Sequence, residues 1–262
     1  MIYQPGDSIV VRIRELLESC VRGEMGLDEA ERRLKLDYLQ QIDGHTVFDH
    51  ARELRKGIPE IVYGMVKDPE TVADIMQSAI REKEVILVSR ASKDHHLATL
   101  SRIGEDHLRY ESRARMLVYD RRSEPEERGT IGIITAGTSD IPVAEEARIM
   151  AECMGCRCIT SYDLGVAGLH RFLEPLQAML EADVDAIVVA AGMEGALPTL
   201  VASVSDVPVI GLPVSTGYGL GGNGEAALMS MLQTCSPGLA AVNIDNGIGA
   251  GAMAALISLH RR

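Results

Sequence analysis

The chain has 262 residues, 46% of them hydrophobic, and a formal net charge of -12. That length suits one large or two modest domains, and the acidic balance argues against nucleic acid or an anionic membrane as the main partner. Aromatics are only 3% and Trp is absent, so the core must be assembled from Ala, Val, Ile, Leu and Met, which suits buried parallel strands.

Asp7 lies early in the chain and no apolar h-region follows Met1, so no secretory signal is read. Charges or turn residues interrupt every apolar run before it reaches bilayer length. Five cysteines, an odd count, are then expected to be reduced thiols of a cytoplasmic protein.

Apolar periodicity predicts a helix over Ile9 to Val21. A second, short helix runs from Leu27 to Leu34, with Asp28 and Glu29 in its first turn, where the helix dipole favours them. A short apolar run (Ile61 to Met65), a helix over Pro69 to Glu82 and strands at Val85 to Ser89 and Met116 to Tyr119 complete a small α+β unit. The charged stretch Arg121 to Arg128 has no apolar periodicity and reads as a linker, dividing the chain into domains 1–125 and 126–262.

Beyond the linker, strand-like and helix-like runs alternate. Strands are predicted at Ile131–Thr135, Arg157–Thr160, Ala186–Ala190, Val207–Gly211 and Ala240–Ile244. Helices are predicted at Pro142–Met154, Leu169–Ala182 (broken at Pro175), Leu197–Val204, Glu225–Thr234 and Ile248–His260. This is the pattern of an α/β domain, a parallel sheet with helices on both faces. Ligands bind such sheets at the carboxyl ends of the strands, so the five loops after the strands are where chemistry is sought.

The first loop, Ala136 to Asp140, offers Ser139 and the N-cap candidate Asp140 before a helix, a setting for phosphate or for capping alone. In the third, Gly192-Met193-Glu194-Gly195, one carboxylate stands among small residues; partly desolvated, Glu194 would serve as general acid or base, or else it caps the next helix. The fourth carries Ser215, Gly217, Tyr218, Gly219 and Gly222, and its dense glycines let backbone approach a ligand closely. Its spacing is not a dinucleotide fingerprint. The fifth groups Asn243, Asp245 and Asn246, fit for ribose hydroxyls, a carboxamide or a hydrated cation, or for a simple Asx turn.

Cys235 closes the helix predicted over Glu225 to Thr234. Helix C-termini disfavour thiolate, but a bound cationic ring would reverse the balance and make a nucleophile activated by its own substrate. Cys153, Cys156 and Cys158 form a cluster too sparse for a structural zinc site. His95, His96 and His107 read as surface residues rather than ligands.

These stretches resemble a known family. Gly192 to Pro198, Pro213 to Gly219, Cys235, and Val242 to Gly247 followed by Gly249-Ala250-Gly251 are similar to the PurE-type aminoimidazole ribonucleotide carboxylases and, more closely, to the LarB family of pyridinium-3,5-biscarboxylic acid mononucleotide synthases. Asp49 to Glu60 and Lys67 match the additional N-terminal domain of LarB proteins. Three segments depart from the purine enzymes: Ala136-Gly137-Thr138-Ser139-Asp140 stands for their Gly-Ser-x-Ser-Asp first loop, Ser161-Tyr162-Asp163-Leu164 replaces their phosphate-contacting Ser-Ala-His-Arg, and Ala196 stands where they carry a catalytic His.

The resemblance implies a flavodoxin-like C-terminal sheet behind a smaller α+β domain. It also implies carboxylation of nicotinic acid adenine dinucleotide by carbon dioxide or bicarbonate, with phosphoanhydride cleavage that releases AMP and needs Mg²⁺ at ligands the sequence does not identify. Cys235 and Glu194 would be nucleophile and base. Ser139, Asp140, Gly192, Met193, Ser215, Gly217, Tyr218, Gly219, Gly222, Asn243, Asp245 and Asn246 would bind substrate. Arg52 and Arg55 would bind phosphate from the N-terminal domain, or else form structural salt bridges. A homo-oligomer, an octamer by the PurE likeness, is expected. The rival readings are a purine-type carboxylase or mutase and a non-catalytic nucleotide-binding module.

Overall fold

The computed structural model describes residues 9–30, 39–42, 46–49, 56–123 and 127–261. It forms two compact units. One comprises Met1–Tyr110 with Leu117–Arg122, the other Glu111–Met116 with Ser123–Arg262.

The first unit opens with helix α1 (Ile9–Val21) and an antiparallel pair, β1 (Leu39–Ile42) and β2 (Thr46–Asp49). Next come β3 (Glu60–Tyr63), α2 (Pro69–Ala79), β4 (Val85–Ser89), α3 (Lys93–Ile103), β5 (Leu108–Glu111) and β6 (Met116–Asp120). The sheet order is β3-β4-β6-β5, with β3 parallel to β4 and β6 antiparallel to it. Val72, Ile75, Met76 and Ala79 pack α2 onto Val62, Ile86, Val88 and Leu117. Asp68 caps α2 by accepting from the Thr71 amide at 2.9 Å.

Helix α3 is absent from the sequence reading because it has no apolar stripe. Its buried positions are His95 and Thr99. His95 is therefore a core residue, not the surface residue expected: it is only 6% exposed. Its Nδ1 accepts from the Ser92 amide at 2.9 Å, and its Nε2 stands 2.9 Å from the Lys67 carbonyl oxygen. A neutral imidazole protonated at Nε2 satisfies both partners. Strands β1, β2 and β5 are likewise missing from that reading, being short runs in which polar residues interrupt the apolar ones. Arg52 and Arg55 lie outside the described residues.

In the second unit the predicted alternation is found. The elements are β7 (Gly129–Thr135), α4 (Ile141–Cys153), β8 (Cys156–Ser161), α5 (His170–Glu181), β9 (Ala186–Ala191), α6 (Ala196–Val204), β10 (Val209–Pro213), α7 (Glu225–Leu232), β11 (Leu239–Ala241) and α8 (Gly247–Arg261). All strand pairs are parallel, in the order β11-β10-β9-β7-β8. This is the doubly wound flavodoxin-like order, whose switch point falls between the first and third strands, here β7 and β9. Strand β9 is buried along its whole length, which explains its uninterrupted apolar sequence.

Helix α5 is not broken at Pro175 but runs through it. The proline forfeits one backbone hydrogen bond, yet Phe172, Leu176 and Met179 seat the helix in a core with Ile134, Ile187 and Val189, and such packing outweighs local propensity. On another side of the unit α8 lies against α4, so close that a Cβ on Gly247 or Gly251 would stand 2.3 Å from the Val143 or Ala147 carbonyl oxygen. Only glycine permits that approach.

Candidate active site at the carboxyl edge of the sheet

A cleft of about 260 Å³ opens at the β7/β9 switch point. Its walls come from the loops after β7 (Ala136, Gly137, Ser139, Asp140), after β8 (Gly165, Val166, Ala167), after β9 (Ala191 to Leu197) and after β10 (Thr216, Tyr218). Of the residues singled out in the sequence, Ser139, Asp140, Gly192, Met193, Glu194 and Tyr218 meet here.

Asp140 is the joint of the site. It is 3% exposed. Its Oδ2 accepts from the Gly137 amide at 2.8 Å, and its Oδ1 accepts from Thr216 Oγ1 at 2.9 Å. Burial pushes its carboxyl above the usual aspartate range, hydrogen bonds from Gly137, Thr216 and the Gly192 amide only partly offset that, and the nearby charge of Asp245 adds to the rise. The side chain does not cap α4, contrary to the expectation from sequence. A 3-10 turn over Thr138–Asp140 intervenes, and the carboxylate folds back onto its start. Asp140 thus ties the first, third and fourth loops together.

Close backbone approach completes the joint. A Cβ on Gly192 would lie 3.0 Å from Thr216 Oγ1, and one on Gly217 would lie 2.9 Å from the Met193 amide nitrogen. Met193 itself has φ 41°, the left-handed region that an unbranched side chain adopts only when its surroundings impose it. That turn presents Glu194 to solvent at the cleft rather than partly desolvated as expected. Gly195 follows, in left-handed conformation against the backbone of Ala227 in α7.

The other substrate-binding candidates lie beside the cleft, not in its walls. Asp245 accepts from the Ser215 amide at 2.9 Å and from Ser215 Oγ at 2.6 Å, joining the fourth and fifth loops. Asn246 accepts from the Gly249 amide at the start of α8, and Asn243 from the Ile244 amide. The first is a helix N-cap bond and the second bonds the next residue's amide, so neither is the Asx turn expected. Gly217, Gly219 and Gly222 shape the fourth loop, with a Gly222 amide to Gly219 carbonyl bond of 3.3 Å.

Cys235 is exposed and does not line the cleft. Helix α7 ends at Leu232 with Gln233 as its C-cap, so the cysteine lies beyond the helix instead of closing it. The Val209 amide at the start of β10 bonds the Gly238 carbonyl, which puts the segment after α7 toward the amino edge of the sheet. The eight residues of α7 span ~12 Å between that segment and the cleft side. Cys153 and Cys156 are buried and Cys158 half-buried. Burial pushes the Cys158 thiol well up, leaving it unreactive.

Thr216 and the Gly165 to Ala167 wall are site residues that the sequence reading missed. Thr216 sits between the singled-out Ser215 and Gly217, and its hydroxyl bond to a residue 76 positions away has no sequence signal. Among the described residues no histidine lines the cleft; Ala196 does. Among the described residues, no group of three or more His, Cys, Asp or Glu could hold a metal ion, and no helix is long and apolar enough to cross a membrane.

Comparison with known proteins divides the chain in two. Residues 40–121 match the LarB/PurE-like N-terminal domain, and residues 130–261 match the AIR carboxylase domain. An uncharacterized protein of Methanocaldococcus jannaschii is 42% identical over 94% of this chain and 96% of its own length. The N5-carboxyaminoimidazole ribonucleotide mutase of Thermotoga maritima is 34% identical over 48% of this chain and 73% of its own, and that of Pyrococcus horikoshii is 32% identical over 49% and 71%.

Proposed function

The chain is a member of the LarB family, an N-terminal domain of LarB type joined to a PurE-like AIR carboxylase domain, and from that membership we propose that it carboxylates the pyridinium ring of nicotinic acid adenine dinucleotide. The observation that carries this reading over a purine-type mutase is Ala196. It lines the cleft where, by the family resemblance, the purine enzymes carry a proton-transferring imidazole, and among the described residues no histidine lines the cleft. A site with carboxylates but no imidazole suits a reaction whose nucleophile is supplied another way.

A pyridinium carbon is too electron-poor to attack carbon dioxide. A thiolate that adds to the ring para to nitrogen makes a dihydropyridine whose neighbouring carbon is enamine-like. That carbon bonds carbon dioxide, taken up directly or from bicarbonate. A base then removes the proton from the same carbon, the C–S bond breaks, and the thiolate leaves with its electron pair as aromaticity returns. Glu194, exposed on the cleft beside Ala196, is our choice of base. Hydrolysis of the phosphoanhydride releases AMP and leaves the dicarboxylated mononucleotide. Mg²⁺, which favours substrate phosphates and waters over dedicated protein cages, is proposed to arrive on the pyrophosphate.

Cys235 is our choice of nucleophile. It lies outside the cleft of its own chain, so we assign the covalent step to a homo-oligomer in which a neighbouring copy presents its thiolate to the ring. Cys235→Ala should bind the dinucleotide and form no dicarboxylated product, read by mass spectrometry of protein and products; wild-type turnover would remove the cysteine from the mechanism. Co-assembling Cys235→Ala subunits with Glu194→Gln subunits should restore turnover that neither has alone. Absence of any complementation would place both groups in one chain's site. A direct assay with the aminoimidazole nucleotide decides against or for the mutase reading.

A further inference from the structure

The cleft brings together two carboxylates, Asp140 and Glu194, and among the described residues no cation lines its walls. A nucleotide adds negative charge to a site already acidic, and a cation on the same unit as the cleft would offset it. The sequence narrows the choice. From residue 127 to 261 there is no lysine, and the arginines are Arg128, Arg148, Arg157, Arg171 and Arg261.

Four of these are placed elsewhere. Arg128 and Arg157 stand at the starts of β7 and β8, the amino edge of the sheet. Arg261, at the end of α8, reaches Asp185 at 3.5 Å. Arg148 is held by Glu145 at 2.9 Å and Glu152 at 2.6 Å. Arg171 differs. It is the second residue of α5, just after the Val166–Gly168 turn whose residues wall the cleft. A Cβ on Gly168 would lie 2.8 Å from its Nε, and one on Gly165 would lie 4.0 Å from its Nη2. The guanidinium therefore rests on a glycine bed continuous with the cleft wall. Its ion-pair partner is Asp163, at 3.4 Å, with side chains 41% and 53% exposed. So long and exposed a pair is screened by water and easily exchanged.

We propose that Arg171 is the phosphate-binding cation of the cleft, releasing Asp163 to take the phosphate of the bound nucleotide while the ring lies toward Glu194. The planar guanidinium can offer two parallel N–H donors to two phosphate oxygens, a better match than it has in the exposed carboxylate. Asp163 acts as a stand-in anion that keeps the guanidinium at the rim. Glycine at 165 and 168 lets it lie flat there, because a side chain at either position would meet it or the Ala136 carbonyl oxygen. This inference rests on the nucleotide reading of the site.

The test uses the full-length protein and two probes that differ by one phosphate, nicotinic acid mononucleotide and nicotinic acid riboside, with binding measured by calorimetry. Wild type should prefer the mononucleotide by about tenfold or more. Arg171→Gln should bring the two affinities together by weakening the mononucleotide alone, and Arg171→Lys should recover part of the preference. Asp163→Asn, which removes the competing carboxylate, should keep or widen it. A phosphate preference that survives Arg171→Gln at wild-type size overturns the assignment and leaves the nucleotide reading intact. Wild-type protein that binds neither probe overturns the nucleotide reading, and this assignment falls with it.

Discussion

Two buried aspartates hold the two edges of the parallel sheet, and they are built differently. At the amino edge Asp185 accepts from the Thr130 amide at 2.9 Å and from Ser258 Oγ at 2.6 Å, with Arg261 at 3.5 Å. It fastens β7 and α8 together, and a guanidinium offsets its charge. At the carboxyl edge Asp140 also gathers distant loops, yet its nearby charge is another carboxylate, Asp245, and burial pushes its pKa up. One edge is a lock with its charges matched. The other keeps an unmatched negative charge beside an open cleft, an arrangement that costs stability and is typical of sites.

That contrast can be broken by substitution. The largest effect should come from Asp185→Ala, which strands a buried amide and hydroxyl and should cost about 3 kcal/mol, read as a lowered denaturant midpoint. A loss below about 1 kcal/mol would mean that the amino edge is not the lock described.

Asp140→Asn should cost less at neutral pH and should affect ligand binding more than folding. The raised carboxyl also sets the sign of its pH dependence. The folded state holds the Asp140 proton more tightly than the unfolded chain does, so the carboxyl's contribution to stability is present at low pH. It is lost as pH rises from the ordinary aspartate value of 3.8 through the folded pKa. The stability of Asp140→Asn relative to wild type should therefore rise between pH 4 and 7. A flat difference would show that Asp140 titrates normally.

The smallest effect is expected at Glu145, on α4. Burial raises its carboxyl, but hydrogen bonds from Arg148 and Tyr162 and the charge of Arg148 outweigh that and hold it below the usual glutamate range. Its contribution is present above the ordinary glutamate value of 4.5 and is lost as pH falls through the lowered folded value. Glu145→Gln should cost about 1 kcal/mol near neutrality, with the difference from wild type shrinking on acidification. A difference that grows on acidification would reverse the assigned shift.

Much of the second unit is legible in the chain itself. Strands β7 and β9 are runs of small and β-branched residues, and polar and glycine-rich segments after the strands mark the ligand edge. The first unit is less legible. Helix α3 buries a histidine and a threonine, which no apolar periodicity announces, and β5 alternates weakly at a sheet edge. In the site, Glu194 and Asp140 stand out by residue type and loop position. Thr216 does not, because what marks it is a contact created by folding.

The sequence by itself determined the alternating α/β architecture, the loops that form the ligand edge and the absence of an imidazole at position 196, because these follow from local periodicity and residue identity. Only the tertiary structure decided that Asp140 is a buried joint between three loops, that Glu194 faces solvent, and that Cys235 lies outside the cleft of its own chain. The reason is physical. Strand order at the switch point brings together residues far apart in sequence, and one helix length separates residues that the pattern of motifs alone would place side by side.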